Sequence, residues 1–377
     1  MKIVVDENVA FAEEAFSKFG EVRLLHGREI DKSVLKDADA LIVRSITKIN
    51  RTLLEGTSVS FVGTATIGTD HVDLDYLLKN SIGFADAKGC NADAVAEYVF
   101  TALFSAVVKQ NISLKDKTIG IVGVGNIGSR IVKLAEAYGL KALMNDPPRQ
   151  KKESNPDFVS LEEILTADII TIHTPLTYEG DDKTFHLFNE NNLRQIKEGT
   201  IFINASRGEV VDNTALSDLL DENKFTAILD VWENEPNIDQ ELIKKVLFTT
   251  PHVAGYSLEG KINGTKMMID AMNKFFNKNI LWQPQLLKCE NAEIEISTSI
   301  PVEEILYSLF NKIYNIDEDS NRLKNFSGSD KSLGKYFDLL RKEYPLRREF
   351  SNYSIDANAL SEELVKFLRA FRFNIKK

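Results

Sequence analysis

The apolar run Lys117-Thr118-Ile119-Gly120-Ile121-Val122 leads directly into Gly123-Val124-Gly125-Asn126-Ile127-Gly128. A strand ending in G-x-G-x-x-G leaves few folds open. The first two glycines allow a tight turn and close approach of a pyrophosphate, and the third lets the following helix pack on the strand. That helix is visible in Ile131, Leu134, Ala135 and Tyr138, whose spacing marks one apolar face. Its N-terminus offers free amides and a partial positive charge to an anion. Asp146 closes the next apolar run, Leu140 to Met144, at the distance where an acid bonds the ribose hydroxyls of a dinucleotide. An acid there repels a 2′-phosphate, so NAD is expected rather than NADP. Arg149, after Pro147 and Pro148, is a charge that offsets this preference.

The rest of the chain fits the fold class that this turn implies. Short β-branched runs recur at Ile3 to Val5, Ala40 to Val43, Val59 to Val62 and Ile82 to Ala85, and again at Ile169 to Ile172, Thr200 to Ile203 and Ala227 to Val231, with helix-length segments between. Such alternation predicts α/β architecture with two doubly wound parallel sheets: a Rossmann-type NAD domain over 94–254 and a flavodoxin-like lid or substrate domain over 1–93 plus 255–283. A helix is predicted over Asn91 to Gln110, capped by Asn91, and another between Gly255 and Asn279. From 284 to 377 the pattern changes to a small α+β module. A half-exposed strand is expected around Ile294 and Ile296, a helix with Pro301 in its first turn, further helices along Leu333, Phe337, Leu340 and along Leu360, Leu364, Phe367, Phe371, and a strand at Tyr353 to Ile355.

Composition excludes other classes. The formal charge of −10 over 377 residues disfavours nucleic acid and anionic membranes as partners, since both reward clustered cations. No apolar run reaches a membrane-spanning length, and the N-terminus turns acidic at Asp6 and Glu7, unlike a secretory signal. Cys90 and Cys289 make no disulfide framework, so a reducing cytoplasm is expected. An anionic small molecule must then be held by local cations and amides.

Three polar residues follow strand-like runs in the second half: Arg207 in Asn204-Ala205-Ser206-Arg207-Gly208, Glu235 in Asp230-Val231-Trp232-Glu233-Asn234-Glu235-Pro236, and His252 in Thr250-Pro251-His252-Val253-Ala254-Gly255. Carboxyl ends of neighbouring parallel strands open on one crevice, so distant residues can converge there. A guanidinium can clamp a carboxylate with two parallel bonds, and an imidazole can accept a hydroxyl proton while a carboxylate orients it. Together with a dinucleotide turn, this set suits oxidation of a hydroxy acid.

The ordered motifs Gly-x-Gly-x-x-Gly, Asp146, His173-Thr174-Pro175, Arg207-Gly208, Asp230-Val231, Glu235-Pro236 and Pro251-His252 resemble the D-isomer-specific 2-hydroxyacid dehydrogenase family. Val43 to Lys48, Gly63 to Asp73, Gly89-Cys90-Asn91, Asp146 to Arg149 and Gly255 to Gly260 narrow the likeness to members whose small substrate is a phosphorylated 2-hydroxy acid. The resemblance implies that Arg207, Glu235 and His252 are catalytic, with His252 moving the proton. It implies NAD contacts at Gly123, Gly125, Asn126, Ile127, Gly128, Asp146, Thr174, Ala205, Ser206, Arg207, Asp230 and Gly255. Substrate contacts fall on Arg44, Ser45, Thr66 and Tyr256, and the C-terminal module becomes a homodimerisation domain. Lys88 and Ser206 depart from the family's usual proline and cysteine without touching this chemistry.

No metal is expected, because hydride transfer to NAD needs none. His26 and His186 read as surface residues, while His71 and His173 read as positioning groups. Two alternatives remain: a sibling dehydrogenase, such as one for 3-phosphoglycerate, and a non-catalytic NAD-sensing corepressor on the same fold. The first would differ around Ser45, Thr66, Tyr256 and in the C-terminal module.

Overall fold

The computed structural model describes residues 1–222, 224–286, 288–296, 299–328, 330–358 and 360–376, with backbone only at 330 and 331. Residue contacts group the chain into two units, Met1–Asn91 with Ser257–Lys288, and Ala92–Tyr256 with Cys289–Lys377.

The first unit is a parallel sheet of β1 (Lys2–Asp6), β2 (Glu21–Leu25), β3 (Ala40–Val43), β4 (Phe61–Thr64) and β5 (Gly83–Asp86), in the order β2-β1-β3-β4-β5. Alternate residues feed two cores. Ile3, Val5, Ala40 and Ile42 face one layer with Met268 and Met272 of helix Leu258–Phe275, while Val4, Leu41 and Val43 face Leu35, Leu54 and Leu77 on the other. Burial on both faces explains why these strands read as unbroken apolar runs. Strand β2 lies at the edge, is largely exposed, and its short run Glu-Val-Arg-Leu-Leu gave no strand signal.

The second unit has β6 (Thr118–Val122), β7 (Lys141–Asn145), β8 (Ile169–Ile172), β9 (Ile201–Asn204), β10 (Thr226–Leu229) and β11 (Phe248–Thr249), all parallel, ordered β11-β10-β9-β8-β6-β7. The order reverses beside β6, so the glycine turn stands at the switch point of a Rossmann-type sheet. Helix Ala92–Gln110 is buried along nearly its whole length. The expected cap does not form as read: the Asn91 side-chain oxygen is buried without a hydrogen-bond partner.

The C-terminal segment has its own parallel sheet, β12 (Glu293–Ile294), β13 (Ser354–Asp356) and β14 (Asn374–Lys376) in that order, but shares a hydrophobic core with the nucleotide-binding part. Phe310 of helix Val302–Ile313 packs edge-on against Phe104 at 5.7 Å, Phe371 against Phe100 at 5.3 Å, and Phe367 against Tyr138 at 5.1 Å. Arg372 adds ion pairs to Asp93 (3.1 Å), Glu97 (3.3 Å) and Glu349 (2.9 Å). Cutting the chain near Gln283 would strip this core, so the segment is integral to the second unit. Pro301 caps helix Val302–Ile313 instead of entering its first turn, and helix Ile316–Lys324, too polar to register as periodic, holds β11 through Ser320 Oγ, which accepts the Thr249 amide at 3.1 Å.

Candidate functional site

Arg207, Glu235 and His252 all stand beyond the carboxyl ends of β9, β10 and β11 in the second unit. His252 Nδ1 and Glu235 Oε2 are 2.8 Å apart, and Glu235 Oε1 accepts the Trp232 amide at 2.9 Å. Burial pushes the Glu235 carboxyl up, but the His252 charge and hydrogen bond, with Arg341 and the Trp232 amide, outweigh it and hold the group below its ordinary range. Glu235 therefore stays ionised, fixing the imidazole through Nδ1 and leaving Nε2 to exchange a proton.

His252 has φ 56°, a left-handed conformation that is costly for a histidine. Asp230 over-determines it. Its buried carboxylate accepts the Val253 amide at 2.8 Å, the Ala254 amide at 3.0 Å and the Thr250 hydroxyl at 2.6 Å, and its carbonyl accepts the His252 amide at 2.7 Å. Since Thr250 donates to Asp230, the Tyr98 hydroxyl 2.8 Å away must donate to Thr250. Asp230, expected from resemblance as a cofactor contact, thus anchors the turn that carries His252.

The Arg207 turn is built by Asn204, whose side chain accepts from the Ser206 amide (3.1 Å) and hydroxyl (2.9 Å) and donates to the Arg207 carbonyl (2.9 Å). Gly208 brings this turn onto the loop of Glu235: a Cβ there would lie 1.9 Å from the Trp232 carbonyl carbon. No side chain fits.

The glycine turn has the shape of a phosphate cradle. Gly123 adopts φ 85° with the backbone of His173 2.7 Å from where a Cβ would stand, and a Cβ on Gly128 would meet the Gly123 oxygen at 2.0 Å, whereas Gly125 faces open space. Asp146 Oδ2 accepts the Val124 amide at 2.9 Å, and its Oδ1 caps helix Pro147–Glu153 through the Arg149 amide at 3.1 Å. Arg149 is turned toward Glu153, at 2.8 Å, and toward the Val124 carbonyl. The Thr174 hydroxyl is buried without a partner, an orphan donor and acceptor beside the turn. These features fit a dinucleotide at this end of the sheet.

Comparison with known proteins agrees. Residues 92–254 match the family described as D-isomer specific 2-hydroxyacid dehydrogenase, NAD binding domain, and residues 286–370 match a domain of unknown function (DUF3410). The chain is 46% identical over 368 residues, 96% of each chain, to a protein of Escherichia coli O127:H6 (strain E2348/69 / EPEC) named erythronate-4-phosphate dehydrogenase. It belongs to the erythronate-4-phosphate dehydrogenase family. Among solved structures, cofactor (NAD+)-bound 3-phosphoglycerate dehydrogenase of Entamoeba histolytica is 28% identical with TM-score 0.63, covering 74% of this chain and 95% of that one. NAD-dependent formate dehydrogenase of Staphylococcus aureus in complex with NAD is 26% identical with TM-score 0.61, covering 74% and 96%.

In this family member, Arg44 and Ser45 directly follow β3 and Thr66 lies just beyond β4, on loops joined where the Ala65 amide donates to the Val43 carbonyl at 2.9 Å. Thr66 Oγ1 is 3.0 Å from Thr64 Oγ1, which is 3.3 Å from His71 Nε2. Ser45 is exposed and Arg44 half-buried. Burial lowers the His173 imidazole to about 3, so it is neutral, and its Nε2 contacts Thr171 at 2.8 Å.

His186 is not the surface residue that its sequence context suggested. It is half-buried, with Nε2 2.6 Å from Glu233 Oε1, while Glu233 Oε2 accepts the Asn213 amide at 2.9 Å. His186, Asp212 and Glu233 offer ligand atoms within 4.8 Å of one another, but the direct His186–Glu233 hydrogen bond already joins two of them. The contact braces the loop that carries Glu235.

The sequence reading also missed Arg341, Tyr344 and Arg347. Arg347 is buried, donates to the Ala254 carbonyl and lies 4.6 Å from the Tyr314 ring. Arg341 lies 5.9 Å over Tyr256 and bonds to it. One signal was available: Leu333, Phe337 and Arg341 are spaced four apart, placing a cation on the buried stripe of helix Asp330–Lys342.

Proposed function

We propose that this chain catalyses NAD-dependent oxidation of 4-phospho-D-erythronate to (R)-3-hydroxy-2-oxo-4-phosphooxybutanoate, a step of pyridoxal 5′-phosphate biosynthesis. The observation that carries the reading is the His252–Glu235 contact of 2.8 Å on a turn fixed by Asp230, beside the turn that presents Arg207. Arg207 clamps the substrate carboxylate, and His252 Nε2 takes the C2 hydroxyl proton as the C2–H bond breaks. Bound NAD supplies the acceptor for the hydride, so a 2-oxo acid, NADH and one proton result. The cofactor is held by the Gly123–Gly128 turn with Asp146, Thr174, Ala205, Ser206, Arg207, Asp230 and Gly255. Arg44, Ser45, Thr66 and Tyr256 contact the substrate.

A 3-phosphoglycerate reading is weaker. Likeness to the Entamoeba histolytica enzyme is 28% over 74% of the chain, against 46% over 96% for the erythronate-4-phosphate dehydrogenase of Escherichia coli. The test is NADH formation from a panel of D-2-hydroxy acids with and without a terminal phosphate, with a 2-oxo acid added to a parallel set so that retained NADH does not hide turnover. Highest kcat/KM for 4-phospho-D-erythronate supports the reading. Higher kcat/KM for 3-phosphoglycerate overturns it, and binding of NAD without turnover favours the sensor.

Asp146→Ala should weaken NAD about ten- to a hundredfold by loss of charge-assisted ribose bonds, while weakening NADP less, because the repulsion of the 2′-phosphate is removed. Equal losses for both in equilibrium titrations would take Asp146 out of this role.

The protein is proposed to work in the cytoplasm as a homodimer through its C-terminal segment. Ile300, Val302, Leu339 and Leu346 are exposed there, the last at 73%. No described helix is long and apolar enough to cross a membrane. Val302→Asp combined with Leu346→Asp should convert dimer to monomer in sedimentation. A persisting dimer would contradict this interface.

A further inference from the structure

Arg341 is a half-buried cation between two aromatic rings, with the carboxylates of Glu235 and Asp338 near enough to favour its charge. Its guanidinium carbon lies 5.9 Å from the ring centres of both Tyr256 and Phe337, and it hydrogen-bonds Tyr256. Its Nε is buried and donates to nothing. A buried guanidinium is costly unless charge and hydrogen bonds compensate it. Glu235, whose carboxylate feels Arg341, has its oxygens on His252 and the Trp232 amide. The setting is also rigid: Tyr256 packs edge-on against Tyr344 at 5.7 Å, and the Tyr344 hydroxyl donates to Asp319 at 2.8 Å. A cation with an unused donor, on helix Asp330–Lys342 against Tyr256 just after the turn that carries His252, suits an anionic ligand.

We propose that Arg341, with Tyr256, binds the phosphate of the substrate, so that the C-terminal segment reads the phosphorylated end of the molecule. This rests on the proposed oxidation of a phosphorylated 2-hydroxy acid. Arg207 takes the carboxylate, and the second anionic group needs its own partner. A planar guanidinium offers a phosphate two parallel donors, which a lysine does not reproduce. Arg341 lies within residues 286–370, so the domain of unknown function acquires a part in specificity.

The test compares wild type with Arg341→Met and Arg341→Lys, their folding checked by melting. Inorganic phosphate is titrated calorimetrically into the NAD-loaded proteins, and KM is measured for 4-phospho-D-erythronate and D-erythronate. The expected result is phosphate affinity roughly ten- to a hundredfold weaker in Arg341→Met, the KM ratio of the two compounds shifting by a similar factor against the phosphorylated one, and partial recovery in Arg341→Lys. Unchanged phosphate affinity, or equal KM increases for both compounds, would overturn the proposal. If Arg341→Met does not fold, Arg341→Lys decides: a ratio shifted at least about threefold supports the fork, and an unshifted ratio removes it. Arg341-dependent phosphate binding without oxidation of either compound would keep the anion site and sink the proposed reaction. Oxidation with no Arg341-dependent discrimination would do the reverse.

Discussion

Replacing His252 by asparagine is expected to lower the rate of hydride transfer by about 10² to 10⁴, the usual worth of a general base, while leaving NAD affinity within a factor of about two. Asparagine is the informative substitution because it tolerates the left-handed backbone that His252 adopts at φ 56°. The turn should survive and only the proton acceptor be lost. Single-turnover rates and an equilibrium NAD titration check both halves. Glu235→Gln adds the pH dependence. Glu235 is held below its ordinary range and remains a carboxylate on the acid side of neutrality, so a negative charge faces the imidazole there. Removing a neighbouring negative charge should move the acid limb of the oxidation profile to lower pH. An unmoved limb would show that Glu235 does not act through His252.

Asp230→Ala should produce the largest structural loss. It leaves the Val253 and Ala254 amides and the Thr250 hydroxyl without their acceptor in a buried place. Each unsatisfied donor costs about 1 to 3 kcal/mol, so a loss of roughly 2 to 5 kcal/mol is expected after partial relaxation. The same change releases the turn that sets His252, so kcat of the folded protein should fall at least about tenfold. Asp230→Asn keeps one acceptor oxygen and should lie between. Denaturant midpoints and kcat at a temperature well below melting separate the two effects. A wild-type midpoint and kcat in Asp230→Ala would show that the turn is set by other contacts.

Much of this was legible in the sequence because parallel strands buried on both faces leave nearly continuous apolar runs. Ala40–Val43 and Ile169–Ile172 fall at the expected residues for that reason. Edge strand Glu21–Leu25, the short Phe248–Thr249 and the polar helix Ile316–Lys324 carried no such pattern. In the C-terminal segment the strands near Ile294 and Ile355 and three helices were foreseen, but not strand Asn374–Lys376 or the packing, because the aromatic contacts of Phe310, Phe367 and Phe371 join residues far apart in sequence. The same limit applies to the site. Arg207, Glu235 and His252 sit in local motifs after strands. His186 and Arg341 sit in none, and only the fold brings them to Glu233 and Tyr256. Asp146 was read as a cofactor contact from its position and Asp230 from the resemblance, and their hydrogen bonds to Val124 and to the turn that carries His252 appear only in three dimensions.

The central claim concerns the hydrogen on C2, and it can be followed directly. 4-Phospho-D-erythronate carrying deuterium at C2 is turned over once with NAD, and the nicotinamide is analysed by mass spectrometry. The account predicts one deuterium in the reduced nicotinamide per 2-oxo acid formed, with the same transfer slowed in His252→Asn. Deuterium released to water, or product formed without labelled NADH, would contradict it.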